Sequence, residues 1–470
     1  MAPGVLLSGT STPIPRQNNN ALNDDYITNA ADVNIPSSDL GAKLDASTLQ
    51  VTLTPSPKIV PAAEDLAFGK HVTDHMLQIR WTEKAGWHAP QIMPYAPLSL
   101  DPAACVFNYG FECFEGMKAY KDSAGKVRLF RPLDNLKRFN ESARRIALPG
   151  FDAEELLKLV AKFVEVEERW IYQLPTHTLY LRPVLIGTSA SLGVTAPTEA
   201  LLYLIASPVG SYFSAPAPSA PRTSPDNLPT TTPSTPQSAL KKRQTPGILL
   251  KSLNPYHHAR AFRGGAGCHK IGGNYAPCIR VERDAKKHGF QQVLWTTPGV
   301  EDEEFVGEAG TMNVFVVLRH RGRLEWRGEQ EETEVFELVP PPLDGTILPG
   351  ITRSCVLELA KSKNSKMPYV KVNSAWRVSE RQISMAEMAS AAAKGDLIEV
   401  FGTGTAAVVT GIRGIEWRGE MISCGEQGEV TQLMKSWIED VQYGRAEESG
   451  WSVGAEESRW SVKAEDLLVH

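Results

Sequence analysis

The sequence predicts a mixed α/β (α+β) fold that is divided into two domains. Two halves rich in β-type apolar runs, each with helical patterns, flank a stretch dense in Pro, Ser and Thr at residues 214–247. Such a composition buries too little apolar surface to offset chain entropy, so we interpret this stretch as an interdomain linker or an insertion. A length of 470 residues agrees with two or three domains of roughly 150 residues each.

The expected domain boundaries follow changes in composition. Residues 1–60 are polar and lack apolar periodicity, and we expect a disordered segment there, with ordered sequence beginning near Ala62. A small α/β domain then covers 61–213, and a larger second domain covers 248–445. Residues 446–470 contain two copies of a nine-residue repeat, which are too few for a solenoid and are interpreted as a duplicated tail.

Hydrophobic periodicity predicts the elements of the first half. Apolar runs of strand length occur at 105–109, 127–130, 179–186 and 201–206. Helical patterns cover 133–146 and 152–170. In the second of these helices, Asp152 is expected to cap the N-terminus, with Glu155 at the capping-box position.

The second half has the same mixture of elements. Helices are predicted at 275–288, where Gly289 follows as a C-terminal stop, and from Thr352 through Leu359. Strands are predicted at 291–295, 314–318, 397–401 and 407–410.

Composition and charge indicate which partners and sites are not expected. The net charge is −5 and the basic residues are dispersed, so neither nucleic acid nor a membrane surface is an expected partner. The six cysteines form no C-x-x-C pair, which is typical of reduced thiols inside a cell and predicts no metal site. The first fifty residues carry one arginine and several acids, so we expect a cytoplasmic protein, with a mitochondrial location as the alternative.

The most informative motif is the stretch 260–277, where Lys270 lies between glycine-rich segments. Glycine allows backbone to lie close to a ligand, and lysine is the side chain that forms Schiff bases with carbonyl cofactors. Pyridoxal phosphate is the commonest such cofactor. The alternative interpretation is a surface glycine loop with a solvated lysine.

A pyridoxal cofactor needs further partners, and the chain offers candidates. Glu308 precedes an apolar β-type run and could hold the ring nitrogen, although it could also be a solvated turn acid. Residues 348–353 precede a helix whose unpaired N–H groups would suit a phosphate, although Thr352 could simply cap that helix. The glycine–threonine turn at 401–407 is a weaker candidate for binding a phosphate or carboxylate.

The set of motifs resembles the branched-chain amino acid aminotransferases, which are fold-type IV pyridoxal-phosphate enzymes. The resemblance covers roughly residues 61–445 and implies two domains with the cofactor at their interface. The matching stretches occur in the family's order at 114–120, 129–138, 179–187, 272–277, 308–313, 348–353 and 401–406.

The resemblance also implies roles for individual residues. Lys270 is similar to the lysine that binds pyridoxal 5'-phosphate covalently and moves the substrate proton. The other expected cofactor-binding residues are Arg138, Arg260, Tyr275, Glu308, Thr311, Ile351, Thr352 and Thr405. Among them, Tyr275 is expected on the ring hydroxyl, Glu308 on the pyridine nitrogen and Arg138 on the phosphate. The expected substrate-binding residues are Tyr109, Phe114, Tyr180, Arg182 and Ala406, some of them from a second subunit.

The implied activity is transfer of the amino group of Leu, Ile or Val to 2-oxoglutarate by a homodimer, in amino-acid biosynthesis or degradation. The alternatives are a D-amino acid aminotransferase, an aminodeoxychorismate lyase, or a non-catalytic protein of the same fold. The chain departs from the family at 214–247, which is longer than the family's usual interdomain loop. It also has Ala407 and Thr410 where some members carry a redox C-x-x-C, so no thiol switch is expected there.

Overall fold

The structure is a computed structural model that describes residues 41–210, 247–326, 329–369, 374–425, 428–446 and 461–463. The expectations for residues 1–40, for the linker up to residue 246 and for most of the duplicated tail lie outside these ranges. The two-domain division at the boundaries given above stays a prediction.

A ten-stranded sheet is built almost entirely from the first half of the chain. Its strand order is β1-β4-β2-β9-β8-β6-β7-β19, with β3 beside β2 and β5 beside β8. The strands are β1 Gln50–Val51, β2 His75–Thr82, β3 Gly86–Trp87, β4 Gln91–Pro94, β5 Glu112–Phe114, β6 Met117–Lys121, β7 Val127–Phe130, β8 Thr178–Gly187, β9 Glu199–Val209 and β19 Ser461–Lys463.

A nine-stranded sheet is built from the second half. Its order is β12-β11-β10-β17-β16-β13-β14-β15, with β18 beside β17, and β12 also pairs with β13, which closes six strands into a ring. The strands are β10 Ile248–Ser252, β11 Gln292–Pro298, β12 Glu304–Ala309, β13 Met312–Trp326, β14 Glu329–Val339, β15 Ser374–Val378, β16 Leu397–Gly404, β17 Val408–Trp417 and β18 Glu420–Ser423.

Amphipathic helices cover the sheets. In the first half, apolar side chains of α2 and α3, such as Phe139 and Phe163, are fully buried with Leu181 and Leu202 of the sheet. Burying each such side chain stabilises the fold by about 1.5–3 kcal/mol. The helices are α1 Cys105–Tyr109, α2 Pro132–Arg145, α3 Ala153–Val166, α4 Ile279–Lys287, α5 Ile351–Ser362, α6 Met385–Ala393 and α7 Glu429–Gln442.

Most of the predicted elements are present, but three predictions were wrong in type or extent. Residues 105–109 form α1 rather than a strand, because a five-residue apolar run fits either structure. The helix expected over 152–170 ends at Val166 and is followed by a 3-10 turn at Glu168–Trp170; between them the buried Glu167 carboxylate accepts the N–H groups of Asp74 and His75. The helix expected from residue 275 begins as two 3-10 turns, and α4 starts at Ile279.

The chain also joins the first sheet earlier than expected. Leu44 is buried, and β1 pairs in parallel with β4, so residues 41–60 are not a disordered segment. Asp152 does cap α3, but Glu155 forms no capping box. Its carboxylate instead accepts the N–H of Ala46 at 2.7 Å, which ties the early segment to the helix.

Candidate active site

A cavity of about 320 Å³ is lined by residues of both sheets. Every residue that the sequence predicts for the site lines it, except Tyr109. The predicted residues that share this cavity are Phe114, Arg138, Tyr180, Arg182, Arg260, Lys270, Tyr275, Glu308, Thr311, Ile351, Thr352, Thr405 and Ala406. Residues that are scattered over about 290 positions of sequence are thus collected around one space.

Lys270 is held by its backbone and leaves its amine at the cavity. Its N–H donates to Ser142 Oγ at 2.9 Å, and its carbonyl accepts the N–H of Phe114 at 3.1 Å. The amine Nζ lies 3.2 Å from Tyr275 Oη and 4.9 Å from the Phe114 ring centre. Burial lowers the pKa of Lys270 to about 8. This lowered pKa increases the fraction of uncharged amine near neutral pH, and the uncharged amine is the nucleophile.

Close packing explains the glycine at position 272, two residues after Lys270. A Cβ on Gly272 would meet Glu112 Oε2 at 1.7 Å, while a Cβ on Gly273 would meet nothing within 4 Å. Gly272 does not adopt a positive φ. The absence of a side chain at this position therefore serves close approach of Glu112 to the loop, rather than an unusual backbone turn.

Glu308 is a buried carboxylate with three donors. Arg260 Nη1 lies 2.8 Å from Oε2, while the Asn313 side-chain amide at 3.0 Å and the Leu348 N–H at 2.7 Å donate to Oε1. Burial raises the pKa of Glu308, and the Arg260 guanidinium opposes this rise. The alternative interpretation of Glu308 as a solvated turn acid is wrong, because the side chain is almost inaccessible.

The N-terminus of α5 faces the cavity through Ile351 and Thr352. Gly350 is the N-cap residue and no side chain caps the helix, so the alternative role of Thr352 as N-cap is wrong. The first N–H groups of a helix have no partner within it, and together with the helix dipole they favour an anion. Thr403 lines the same cavity, and its hydroxyl is buried and has no hydrogen-bond partner among the described residues.

Arg138 adjoins this anion site through an ion pair that sequence reasoning missed. Its Nε and Nη2 donate to the two carboxylate oxygens of Glu115 at 2.6 and 2.9 Å, and its Nη1 donates to the Pro349 carbonyl at 3.0 Å. Glu115 is fully buried. The pair fixes the guanidinium beside the segment that leads into α5.

An aromatic wall and one arginine form the opposite end of the cavity. The Arg182 guanidinium lies 4.7 Å from the Phe114 ring centre, and its Nη2 donates to Tyr180 Oη at 3.0 Å. Its Nε is buried without a partner in the described part of the chain. Phe68, which was not predicted, also lines the cavity and packs edge-on against Tyr180 at 5.0 Å.

Tyr109 does not line the cavity of its own chain. It is 40% exposed at the end of α1, and its hydroxyl donates to the Leu192 carbonyl at 2.5 Å. Phe107, Leu192 and Val194 are also exposed. We call these four exposed residues, of which Tyr109 and Leu192 are in contact, the α1 patch.

Sequence reasoning missed three supporting residues of the site for the same reason. Glu115, Lys118 and Asn313 act by holding other groups, through side-chain contacts between separate elements that hydrophobic periodicity does not reveal. The Lys118 amine donates to the Ala406 carbonyl at 2.9 Å across 288 positions of sequence.

The polar groups that line the cavity suit pyridoxal phosphate. An amine, a phenol, a buried carboxylate and a helix N-terminus line one cavity, and the buried Thr403 hydroxyl has no partner within the described residues. Such groups would suit, in the same order, the aldehyde, the ring hydroxyl, the ring nitrogen and the phosphate of the cofactor. In the described ranges, no group of three His, Cys, Asp or Glu side chains could hold a metal ion. No helix there is long and apolar enough to cross a membrane.

Comparison with known proteins agrees with the fold and the cavity. The sequence model of the family described as Amino-transferase class IV matches residues 112–415. The mitochondrial branched-chain-amino-acid aminotransferase of Saccharomyces cerevisiae is 42% identical over 417 residues, which cover 88% of this chain and 93% of that protein. The cytosolic enzyme of the same yeast is 40% identical, over 87% of this chain and 97% of that protein.

Among solved structures, the branched-chain amino acid aminotransferase of Escherichia coli matches with a TM-score of 0.57 and 20% identity. The match covers 83% of this chain and 99% of that one, and it shows the common fold. The fold and the cavity thus define a class IV aminotransferase. The chain belongs to this family and, within it, to the branched-chain-amino-acid aminotransferases. The resemblance and the fold class inferred from sequence are confirmed.

Proposed function

We propose that the protein uses pyridoxal 5'-phosphate to transfer the amino group of L-leucine, L-isoleucine or L-valine to 2-oxoglutarate. The products are the branched-chain 2-oxo acids and L-glutamate. The observation that carries the proposal is the Lys270 amine beside Tyr275, in one cavity with the buried Glu308 and the α5 N-terminus. The branched-chain-amino-acid aminotransferases among its relatives support the substrate class.

One end of the proposed cofactor site would bind the ring nitrogen and the other end the phosphate. Glu308 would hold a proton on the ring nitrogen, and the Arg260 guanidinium favours the ionised form of that carboxylate. Ile351, Thr352, Thr311 and Thr405 would donate to the phosphate. When bound, the cofactor supplies a cationic ring that accepts the electron pair released at the substrate Cα.

Lys270 is the proposed base. Its amine would bind the cofactor covalently and, once displaced by the substrate amine, would carry a proton from the substrate Cα to the cofactor. The lowered pKa supports both tasks, because a base works best when its pKa is close to the working pH. The 3.2 Å contact with Tyr275 keeps the amine near the proposed position of the ring hydroxyl.

The substrate end must accept both an apolar and an acidic side chain. Phe114, Tyr180 and Phe68 supply an apolar surface for a branched side chain. Arg182 lies against the same rings with one buried donor available, and we propose that it receives the side-chain carboxylate of glutamate. The backbone of Thr405 and Ala406 would receive the α-carboxylate.

An assay of the purified protein tests the proposal. With L-leucine and 2-oxoglutarate, we expect stoichiometric L-glutamate and 4-methyl-2-oxopentanoate, and Lys270→Ala should abolish both turnover and the visible absorbance of the bound cofactor. Turnover of D-amino acids without glutamate from L-leucine would contradict the proposal and favour a D-amino acid aminotransferase. Release of an aromatic product from aminodeoxychorismate would favour the lyase.

The homodimer and the compartment are also proposals. The α1 patch supports a dimer, because an exposed apolar patch on a folded chain often marks an interface. Tyr109 would then reach the partner's cavity. Sedimentation should give twice the monomer mass of 51.5 kDa, and Tyr109→Glu should shift it toward the monomer. For the compartment, the yeast relatives are cytosolic and mitochondrial, and cell fractionation decides between the proposed cytoplasm and the mitochondria.

A further inference from the structure

Arg182 lines the cavity without an ion pair to any residue that the structure describes. Two other arginines of the cavity, Arg138 and Arg260, each pair with a buried glutamate. By contrast, Arg182 Nη2 donates to the neutral hydroxyl of Tyr180 at 3.0 Å, and its buried Nε has no partner within the described ranges. A guanidinium that is partly removed from water is unfavourable without an anion nearby, so the charge of Arg182 calls for compensation by a group that is not bonded to it.

The register of the first sheet places Glu112 on the face that carries Arg182. Glu112 and Phe114 of β5 lie opposite Ile186 and Val184 of β8, and residues directly opposite in an antiparallel pair project from the same face. Alternate residues along a strand also share a face, so Arg182, two residues before Val184, projects with them. The guanidinium lies 4.7 Å from the Phe114 ring centre, and Glu112 is the neighbour of Phe114 on that face.

The loop that carries Lys270 holds Glu112 from the other side. Cys113 of β5 forms an antiparallel bridge with Ile271 of the loop, so Glu112 lies opposite Gly272. A Cβ on Gly272 would meet Glu112 Oε2 at 1.7 Å, which puts the carboxylate directly against the loop backbone. The Glu112 side chain is partly buried there and forms no ion pair in the described part of the chain.

The charges of Glu112 and Arg182 act on each other without a direct bond. Burial raises the pKa of Glu112, and the Arg182 guanidinium opposes this rise. Tyr203 of β9 lies opposite Val184 on the same face; burial raises its pKa, Glu112 raises it further and Arg182 lowers it. Glu112 is therefore an anion that offsets the charge of Arg182 from the same face of the sheet.

This arrangement has different consequences for the two kinds of substrate. A branched side chain brings no charge, so Glu112 stays the counter-charge of Arg182 while such a substrate is bound. An acidic side chain places its carboxylate beside Arg182, where Glu112 repels it, because like charges repel over several ångströms where the dielectric constant is reduced. Without Glu112, Arg182 would hold the acidic substrate more tightly.

We infer that Glu112 is a specificity-determining residue, which balances the two substrate classes by weakening the attraction of Arg182 for an acidic side chain. The inference rests on the proposed function, in which Arg182 receives the side-chain carboxylate of glutamate. It assigns a role to a residue that does not itself line the cavity. Because transamination alternates between the two classes in one cavity, the acidic partner has to leave as readily as it binds.

Two ligands that differ at one end test the inference on the enzyme with pyridoxal phosphate bound. Glutarate carries a second carboxylate, and 4-methylvaleric acid carries a branched apolar end. Their dissociation constants are measured from the change in cofactor absorbance. The variants are Glu112→Gln, which removes the charge and keeps the shape beside Gly272, and Glu112→Asp, which keeps the charge. Glu199→Gln is the control, because Glu199 is an exposed acid on β9 of the same sheet.

We expect Glu112→Gln to bind glutarate about fivefold more tightly than the wild type does, which is the effect of one charge at a partly screened separation. Its affinity for 4-methylvaleric acid should change less than about twofold, because the branched end carries no charge. Glu112→Asp and Glu199→Gln should bind both ligands within about twofold of the wild type, since one keeps the charge and the other removes a charge that solvent screens. If Glu112→Gln is insoluble, Glu112→Met removes the charge at a similar length and receives the same measurements.

Two results would overturn the inference. One is an unchanged or weaker affinity of Glu112→Gln for glutarate, and the other is an equal gain for both ligands, which indicates a general change in the shape of the cavity. A purely structural role predicts a loss of affinity, so a gain that is confined to the dicarboxylate separates the two explanations. Failure of the proposed function is a different result, because the wild-type enzyme itself would then transfer no amino group from L-leucine to 2-oxoglutarate.

Discussion

Arg260 and Glu308 form an ion pair in which Nη1 and Oε2 are 2.8 Å apart and the side chains are only 6% and 4% exposed. Removing one partner of a buried pair leaves the other charge uncompensated, which costs about 3–5 kcal/mol. We therefore predict that Arg260→Met and Glu308→Gln each lower the free energy of unfolding by roughly this amount. Urea denaturation of both variants measures it.

The double variant Arg260→Met/Glu308→Gln is the control for this prediction. It removes both charges, so its loss should be smaller than the sum of the two single losses. Strict additivity would mean that the two side chains do not stabilise each other. Glu308→Gln should in addition lower kcat by about 10²–10³-fold, because a neutral amide cannot stabilise the charge that develops on the ring.

The pH dependence of stability follows from two buried lysines. Burial lowers the pKa of Lys270 and of Lys118 to about 8, below the unfolded value of about 10.4. Between these values the unfolded chain binds protons that the folded chain has released, so these two groups make stability rise with pH from about 8 to 10.5. Below pH 8 their burial costs stability.

Lys270→Met and Lys118→Met should each reduce the slope of the unfolding free energy against pH by up to about 1.4 kcal/mol per pH unit, which corresponds to one proton. The measurement is denaturation of cofactor-free protein at several pH values between 8 and 10.5, with Lys121→Met as control. A difference from the wild type that stays constant over this range would show that burial does not shift these lysines.

Gly350 leaves room for the Asn313 side chain, because a Cβ there would meet Asn313 Oδ1 at 2.0 Å. Asn313 donates to Glu308 and to the Leu348 carbonyl, so its displacement disturbs the carboxylate and the segment leading into α5. Gly350→Ala should weaken pyridoxal phosphate binding about tenfold or more, since a hydrogen bond to a charged group contributes about 1.5–3 kcal/mol.

Equilibrium titration with the cofactor measures the effect of Gly350→Ala. Gly273→Ala is the control, because a Cβ there meets nothing within 4 Å. Equal cofactor affinity in the two variants would contradict the proposed role of Asn313.

Arg182 should allow the enzyme to bind 2-oxoglutarate without affecting the branched-chain 2-oxo acids. Arg182→Leu removes the proposed partner of the glutamate side-chain carboxylate but keeps an apolar contact with Phe114. We predict a rise of about 10–100-fold in the KM for 2-oxoglutarate, which corresponds to the loss of one charged hydrogen bond. The KM for 3-methyl-2-oxobutanoate should change less than about threefold.

Arg80→Leu is the matched control, because Arg80 is an exposed arginine on β2. It should leave both KM values unchanged. If Arg182→Leu raised both KM values by the same factor, the residue would shape the cavity without distinguishing the two oxo acids.

The sequence predicted the residues that line the site better than the residues that support them. Lys270, Glu308 and Thr352 each lie within two residues of a glycine, and such glycine-flanked positions leave a local signal. The partners Glu115 and Asn313 were missed, because their roles depend on side-chain contacts between separate elements, which hydrophobic periodicity and turn motifs do not report. Lys118 resembled an ordinary lysine on a strand face, and only the pairing of β6 with β8 reveals where it points.

Errors in the elements have a similar origin. The run 105–109 is apolar and short, and its helical form is fixed by Gly110, which ends α1 in the left-handed conformation. Residues 41–60 have no periodicity because they follow the edge of the sheet, where Leu44 is buried and β1 is only two residues long. This edge exists only once the sheet has assembled, so the local composition of residues 41–60 does not reveal it.

The backbone of Lys270 belongs to the second half of the chain by sequence but to the first half by hydrogen bonding. Its N–H is bound to Ser142 of α2, and its carbonyl is bound to the N–H of Phe114 of β5. Separating the two halves would therefore withdraw the reactive amine from Glu308 before either sheet unfolds. Inactivation by heat or denaturant should accordingly precede, or coincide with, the loss of secondary structure and never lag behind it.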